Sequence, residues 1–286
     1  MSDLIRLTVT VAFDREDIFS GILSRLIPYG WEEETLPTGE IRAVIHTENP
    51  AGTTEIKTSI LASLPDAVIA ESAVPQKNWV LAWRDYFTPV PAGRRFLVLA
   101  PWMETERDAA AQTGRTVITI NPKMAFGTGH HDTTALCLAA ISDLADAGRI
   151  QHGMRFLDIG TGSGILGIAC AKLGLTGHGL DIDGEAIANA TENRAINAVP
   201  DASFTLTRGS VDATAGRYNL IVANILAQPL ISMAEDIVKR LAGDGVLVLS
   251  GLLTIQADSV IAAYKTIGLP EPVRKEAGEW TALVWS

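Results

Sequence analysis

Three observations predict an α/β fold: strands alternate with helices through the C-terminal part of the chain, a glycine-rich bend joins one of these strands to its helix, and a βαββαβ order precedes them. The expected architecture is a Rossmann-like parallel sheet ending in an antiparallel C-terminal hairpin, with a small α+β ferredoxin-like domain before it. The expected boundaries are residues 1–74 for the small domain, 75–95 for a linker helix and 96–286 for the sheet domain.

With 286 residues, 47% hydrophobic and 20% charged, the chain has the composition of a soluble globular protein with room for two cores. No apolar run reaches the ~18 residues of a membrane span. Met1-Ser2-Asp3-Leu4 lacks a basic segment followed by an apolar stretch, so a cytoplasmic protein is expected. Cys137 and Cys170 both fall in helical patterns among Ala and Leu, where they read as small buried hydrophobes. His130 and His131 are adjacent rather than i, i+4, so no metal site is expected. A net charge of −10 disfavours direct nucleic-acid binding and favours a basic partner.

Residues 4–12 alternate apolar and polar positions as a half-buried strand does, and Ile18, Phe19, Ile22, Leu23 and Leu26 follow at helical spacing within 14–27. Residues 31–36 and 41–45 read as strands joined through Pro37-Thr38-Gly39. A helix over 53–64 and a strand from 67 to 74 complete the first domain. It holds no catalytic cluster, so docking or recognition is the expected role, with scaffolding as the alternative. In the linker, Trp79, Trp83 and Phe87 line one helical face, most simply as a packing stripe. Short strands at 96–100 and 117–120 lead to a second glycine loop, Phe126-Gly127-Thr128-Gly129, followed by the capping residues Asp132, Thr133 and Thr134 and a helix that buries Ala135, Leu138, Ile141 and Leu144. Beyond the central bend come strands at 177–180, 203–207, 220–223 and 246–250, helices at 184–193, 228–241 and 255–267, and a hairpin of 273–276 with 281–285.

The central bend is Asp158-Ile159-Gly160-Thr161-Gly162-Ser163-Gly164. Its glycines permit positive φ and remove the Cβ atoms that would hold a ligand away from the backbone. The helix that follows is expected to present unpaired N–H groups there. Asp181, about twenty residues on, ends the next strand and is placed to accept hydrogen bonds from two ribose hydroxyls. Gly162 to Gly167 also satisfies G-x-G-x-x-G. Asp158 is the residue that discriminates between ligands, since a carboxylate at the mouth of the bend would repel a pyrophosphate and attract an ammonium group. S-adenosylmethionine carries an adenosine, an ammonium and a sulfonium, and no phosphate. Asn224 follows directly on an apolar strand, where its amide oxygen can accept from an incoming amine; capping of the next helix is its simpler role.

The series Ala125-Phe126-Gly127-Thr128-Gly129 with Thr133-Thr134, Asp158 to Leu166, Asp181-Ile182-Asp183, Ala223-Asn224-Ile225-Leu226-Ala227 and Leu249-Ser250-Gly251 resembles that of the PrmA family, class I methyltransferases of ribosomal protein L11. The resemblance extends over the whole chain. It implies transfer of methyl groups from S-adenosylmethionine to lysine ε-amines and the N-terminal α-amine of that protein; a cytoplasmic monomer that binds no nucleic acid or membrane directly is expected beside it. It also implies that Thr134, Gly160, Asp181 and Asn224 contact the donor, that Phe126, Thr128 and Gly129 close over it, and that Asn224 stands beside the reacting amine, while Asp158 and Gly162 complete the donor site. One departure stands out. Where the family reads Gly-Thr-His-Pro-Thr-Thr, this chain has Gly129-His130-His131-Asp132-Thr133-Thr134. Three alternatives remain beside this reading: a nicotinamide oxidoreductase, a donor-binding module without activity, and a class I methyltransferase acting on another protein or a small amine.

Overall fold

The computed structural model describes residues 4–27, 31–47, 50–74, 88–111, 113–121 and 129–286. Two compact units divide the chain, Met1–Phe87 and Thr88–Ser286. The linker helix expected over 77–87, with Trp79, Trp83 and Phe87, lies outside the described residues.

The first unit comprises β1 (Leu4–Val11), α1 (Glu16–Leu26), β2 (Glu32–Thr35), β3 (Ile41–Thr47), α2 (Pro50–Ser63) and β4 (Val68–Val74). Its four strands pair antiparallel in the order β2-β3-β1-β4. Alternation along β1 turns Leu7, Val9 and Val11 onto one face. There they pack with Phe19 and Leu23 of α1 and Ile56 and Ile60 of α2. The edge strand β2 is exposed along its whole length and carries Glu32, Glu33 and Glu34.

The second unit opens with a small sheet of β5 (Val90–Ala92), β6 (Phe96–Leu99) and β7 (Thr116–Thr119). Residues 90–92 were expected in the linker; they pair antiparallel with β6, and Ala92 is buried. Between β6 and β7 runs α3 (Glu104–Ala111), a helix that periodicity did not predict because residues 104–109 are all exposed and trace no apolar face. Then follow α4 (Asp132–Asp146), β8 (Arg155–Ile159), α5 (Ile165–Lys172), β9 (Thr176–Asp181), α6 (Gly184–Ile196), β10 (Phe204–Arg208) and β11 (Tyr218–Asn224). The chain ends with α7 (Ala227–Ser232), α8 (Ala234–Arg240), β12 (Leu241–Leu253), α9 (Ala257–Thr266), β13 (Val273–Ala277) and β14 (Trp280–Trp285). The single helix expected over 228–241 is thus two, broken at Met233, and β12 begins earlier than the apolar run at Val246 suggests.

The main sheet has seven strands in the order β10-β9-β8-β11-β12-β14-β13. The first five run parallel and the terminal hairpin antiparallel. Helices cover both faces, so the central strands are apolar on both sides and read as continuous runs such as Leu220 to Ala223. Alternation sorts them into two cores. Phe156, Leu220, Val222, Val246 and Val248 join α4 and α5 in one, while Leu157, Ile159, Ile221, Ala223, Leu247 and Leu249 join α7, α8 and α9 in the other. From β8 the chain builds outward to β9 and β10 on one side and then to β11 and β12 on the other. The reversal leaves a crevice beyond the carboxyl ends of β8 and β11.

Candidate active site

A cavity of about 660 Å³ occupies that crevice. Its walls come from the strand ends: Ile159 to Gly162 after β8, Asp181 to Asp183 after β9, Gly209 and Ser210 after β10, and Asn224 to Leu226 after β11. His131, Thr133 and Thr134 from the start of α4, Ile165 and Leu166 of α5, Ala186 of α6, Pro229 and Met233 after β11, Gly251 of β12 and Trp280 from the hairpin line it as well.

The bend takes φ values of +69°, +53° and +82° at Gly160, Gly162 and Gly164. A Cβ on Gly160 would stand 2.3 Å from Cγ2 of Ile225, so only glycine lets these two loops meet. The bend's amides are used within the protein. Gly160 and Thr161 donate to the Leu180 carbonyl, Gly162 to Oδ2 of Asp181 at 2.9 Å, Gly164 to the Thr161 carbonyl and Gly167 to Oδ2 of Asp158 at 3.0 Å. The amides so used are withdrawn from a bound ligand. Those of Ile165 and Leu166, which open α5 and line the cavity, are not among them.

Asp158 itself is not at the mouth of the bend. Alternation along β8 places it on the face of Phe156, fully buried beneath α5 and outside the cavity lining. Its Oδ2 accepts from the Thr161 hydroxyl at 2.6 Å as well as from Gly167, and its Oδ1 is buried without a partner among the described residues. Burial pushes its carboxyl up to about 7, the two hydrogen bonds oppose that shift, and Asp181 adds to it. Asp158 thus holds the bend from below.

Gly160, Gly162, Asp181, Thr134 and Asn224 all line the cavity. The Asp181 carboxylate is oriented by the Gly162 and Asp183 amides, and each oxygen keeps acceptor capacity for a hydroxyl. Asn224 is 9% exposed. Its Nδ2 donates to the hydroxyl of buried Thr134 at 3.2 Å, and its Oδ1 has no partner among the described residues. That orphaned acceptor at the end of β11 is costly unless a bound donor satisfies it.

Gly129 is buried against β6, where a Cβ would come within 3.0 Å of Val98, and it does not line the cavity. Phe126 and Thr128 lie outside the described residues. In the altered stretch before α4, His131 accepts the Thr133 amide at 3.3 Å as the helix N-cap, and its ring meets Trp280 edge-on at 4.8 Å. Asp132 contributes an acid to the first turn, which favours the helix dipole as a proline there could not. The His130 ring nitrogen Nε2 lies 3.1 Å from the Thr88 carbonyl.

Sequence reasoning missed several cavity walls: Ile182 (73% exposed), Leu226 (72% exposed), Ser210, Met233 and Trp280. An apolar residue directly after the acid that ends a strand was the one available signal, at Ile182. Ser210, Met233 and Trp280 come from separate loops that only the folded sheet brings together.

The family model for ribosomal protein L11 methyltransferase (PrmA) matches residues 12–286. A ribosomal protein L11 methyltransferase from Trichlorobacter lovleyi is 38% identical over 232 residues, 79% of this chain and 74% of that protein. One from Geobacter sulfurreducens is 38% identical over 213 residues, covering 74% and 67%. The crystal structure of a ribosomal protein L11 methylase from Lactobacillus delbrueckii subsp. bulgaricus superposes with a TM-score of 0.62 at 28% identity, covering 69% of this chain and 97% of that one. A glycine bend, an acid at the end of the next strand and an asparagine oxygen without a partner among the described residues thus line one cavity, and the chain belongs to the PrmA family of S-adenosylmethionine-dependent methyltransferases.

Proposed function

We propose that this chain methylates ribosomal protein L11 at lysine ε-amines and its N-terminal α-amine, in the cytoplasm and as a monomer. Residues 1–74 would recognise the substrate and 88–286 carry the reaction. The observation that carries the amine chemistry is the partnerless Oδ1 of Asn224, held in the cavity wall while Thr134 takes its Nδ2. The relatives' shared substrate and the acidic edge Glu32 to Glu34 on the first unit support a basic protein as the target.

S-adenosylmethionine supplies a methyl group already activated on a sulfonium. The protein's work is then to hold and desolvate the nucleophile. Asp181 would hold the ribose hydroxyls, and the carbonyls of the glycine bend would face the ammonium. Asn224 accepts a hydrogen bond from the amine and so orients its lone pair. A lysine must first lose a proton, which costs about 4–5 kcal/mol at neutral pH. Ile225 and Leu226, which follow Asn224 directly and line the cavity with it, are apolar neighbours that disfavour the ammonium form and reduce this cost.

The test is methyl incorporation into purified L11 from labelled donor. Asn224→Ala should lower kcat by about a hundredfold, the scale of losing one oriented acceptor at a reacting centre. Unchanged incorporation would remove Asn224 from the reaction centre, and labelling of other proteins in preference to L11 would overturn the substrate assignment.

A further inference from the structure

Helix α6, whose first turn lends Ala186 to the donor site, carries asparagines at 189 and 193, and Asn197 caps its end; none of the three lines the cavity. The spacing of four puts all three on one face. All are buried, Asn193 completely. A polar stripe of this kind is costly unless its hydrogen bonds are made, and here most are. Asn193 donates from Nδ2 to the Ser163 carbonyl at 2.9 Å and to Oδ1 of Asn189 at 2.8 Å, while its Oδ1 accepts the Asn121 amide at 2.9 Å. Asn197 accepts the Thr119 amide at 2.9 Å and donates to the Thr119 carbonyl at 2.6 Å.

The two asparagines therefore differ in what they grip. Asn197 holds the end of β7 and, at 2.8 Å, the Asn193 carbonyl of its own helix, but no part of the bend. Asn193 alone reaches the glycine bend, and it does so at the peptide joining Ser163 to Gly164, whose N–H side is already held by the Thr161 carbonyl. That peptide is clamped on both faces in the left-handed conformation that Gly164 adopts, and Gly164 in turn packs against Ala190 of the same helix. On its other side Asn193 holds Asn121, the residue leading into the segment with the second glycine loop.

We propose that Asn193 is a positioning residue for S-adenosylmethionine binding, fixing the Ser163–Gly164 peptide so that the bend is preformed, and coupling that bend to the backbone at Asn121. The donor then binds a bend whose order is already established, and donor affinity depends on an amide that never touches the donor.

The experiment compares Asn193→Ala with Asn197→Ala in the full-length enzyme, by calorimetric titration with S-adenosylmethionine, steady-state kinetics and thermal unfolding. Both variants lose buried hydrogen bonds and should melt lower than the parent. Asn193→Ala should weaken donor binding and raise donor KM by about tenfold, with kcat at saturating donor changed less than about threefold. Asn197→Ala should shift donor affinity by less than about twofold. Equal weakening in both variants would mean a general structural effect and would overturn the proposal, as would parental donor affinity in Asn193→Ala. Should Asn193→Ala not fold, hydrogen exchange in the unaltered protein decides the matter. Donor binding should slow exchange at the Asn121 amide together with the bend, and an unchanged Asn121 amide would refute the coupling.

Discussion

Replacing Gly251 with alanine tests how closely two loops must meet to place Asn224. Gly251 sits at the irregularity of β12, where the register against β14 shifts between Leu249 and Leu252, and it takes φ of +86°. A Cβ there would stand 2.4 Å from the carbonyl oxygen of Ile225 and 2.7 Å from its nitrogen. These are backbone atoms, and the Ile225 amide is bonded to the Ser250 carbonyl at 3.1 Å, so neither side yields without moving the segment that carries Asn224. The left-handed conformation costs an alanine about 1–2 kcal/mol. Overpacking adds about 1–3 kcal/mol. Together they predict a loss of about 2–5 kcal/mol, or from about 4 to about 20 °C in Tm for a unit of this size. Two controls separate the terms. Gly153, at φ of +84° with open space around its Cβ, should show the conformational part alone, and Gly243, on the same strand with open space and no positive φ, should be neutral. Thermal unfolding of the three variants, with methyl transfer at saturating donor, is the assay. If Gly251→Ala melts within about 2 °C of Gly153→Ala, the backbone overlap has no energetic consequence and the reasoning fails.

Further predictions concern the buried polar groups. Thr134→Val removes the acceptor that holds Nδ2 of Asn224 and should lower kcat by tenfold or more while costing about 1–3 kcal/mol of stability, read from turnover and urea unfolding. Asp158 has a folded-state carboxyl near 7 against an ordinary value of 3.8, so it favours the folded protein most when protonated and loses that contribution as pH rises from about 4 through about 7. Relative to Asp158→Asn, the parent should therefore be most stable at the acid end of that window, and an opposite slope in paired melts would contradict the assignment. Burial raises the thiols of Cys137, to about 12, and of Cys170. Neither should react with iodoacetamide at pH 8 until the protein unfolds, as mass spectrometry of the labelled chain would show.

Much of the fold and part of the site were legible in residue order. Alternation in β1, helical spacing in α1 and the apolar runs of β11 and β12 reflect local geometry acting on side chains that must reach a core, and each yields its element directly. α3 stayed hidden because a solvated helix leaves no apolar period, and the break at Met233 because both helix segments are apolar on the same side. Among site residues, Gly160, Gly162 and Asp181 share one strand–turn–helix–strand unit, so their convergence is dictated by neighbours in the chain. Asp158 belongs to the same unit and was still misplaced, because its side chain follows the two-residue period of β8 into the sheet rather than the direction of the bend.

The sequence by itself determined most of the elements, that a glycine bend and an acid stand at adjacent strand ends, and that Asn224 ends an apolar strand, since spacings of two and four residues are properties of the backbone. Only the tertiary structure decided what those groups face. It occupied the bend's amides with Leu180, Asp181 and Asp158, gave Nδ2 of Asn224 to Thr134 ninety positions away, and brought Trp280 to the same cavity. Hydrogen-bond partners so distant along the chain are chosen by sheet order and packing, which no local pattern encodes.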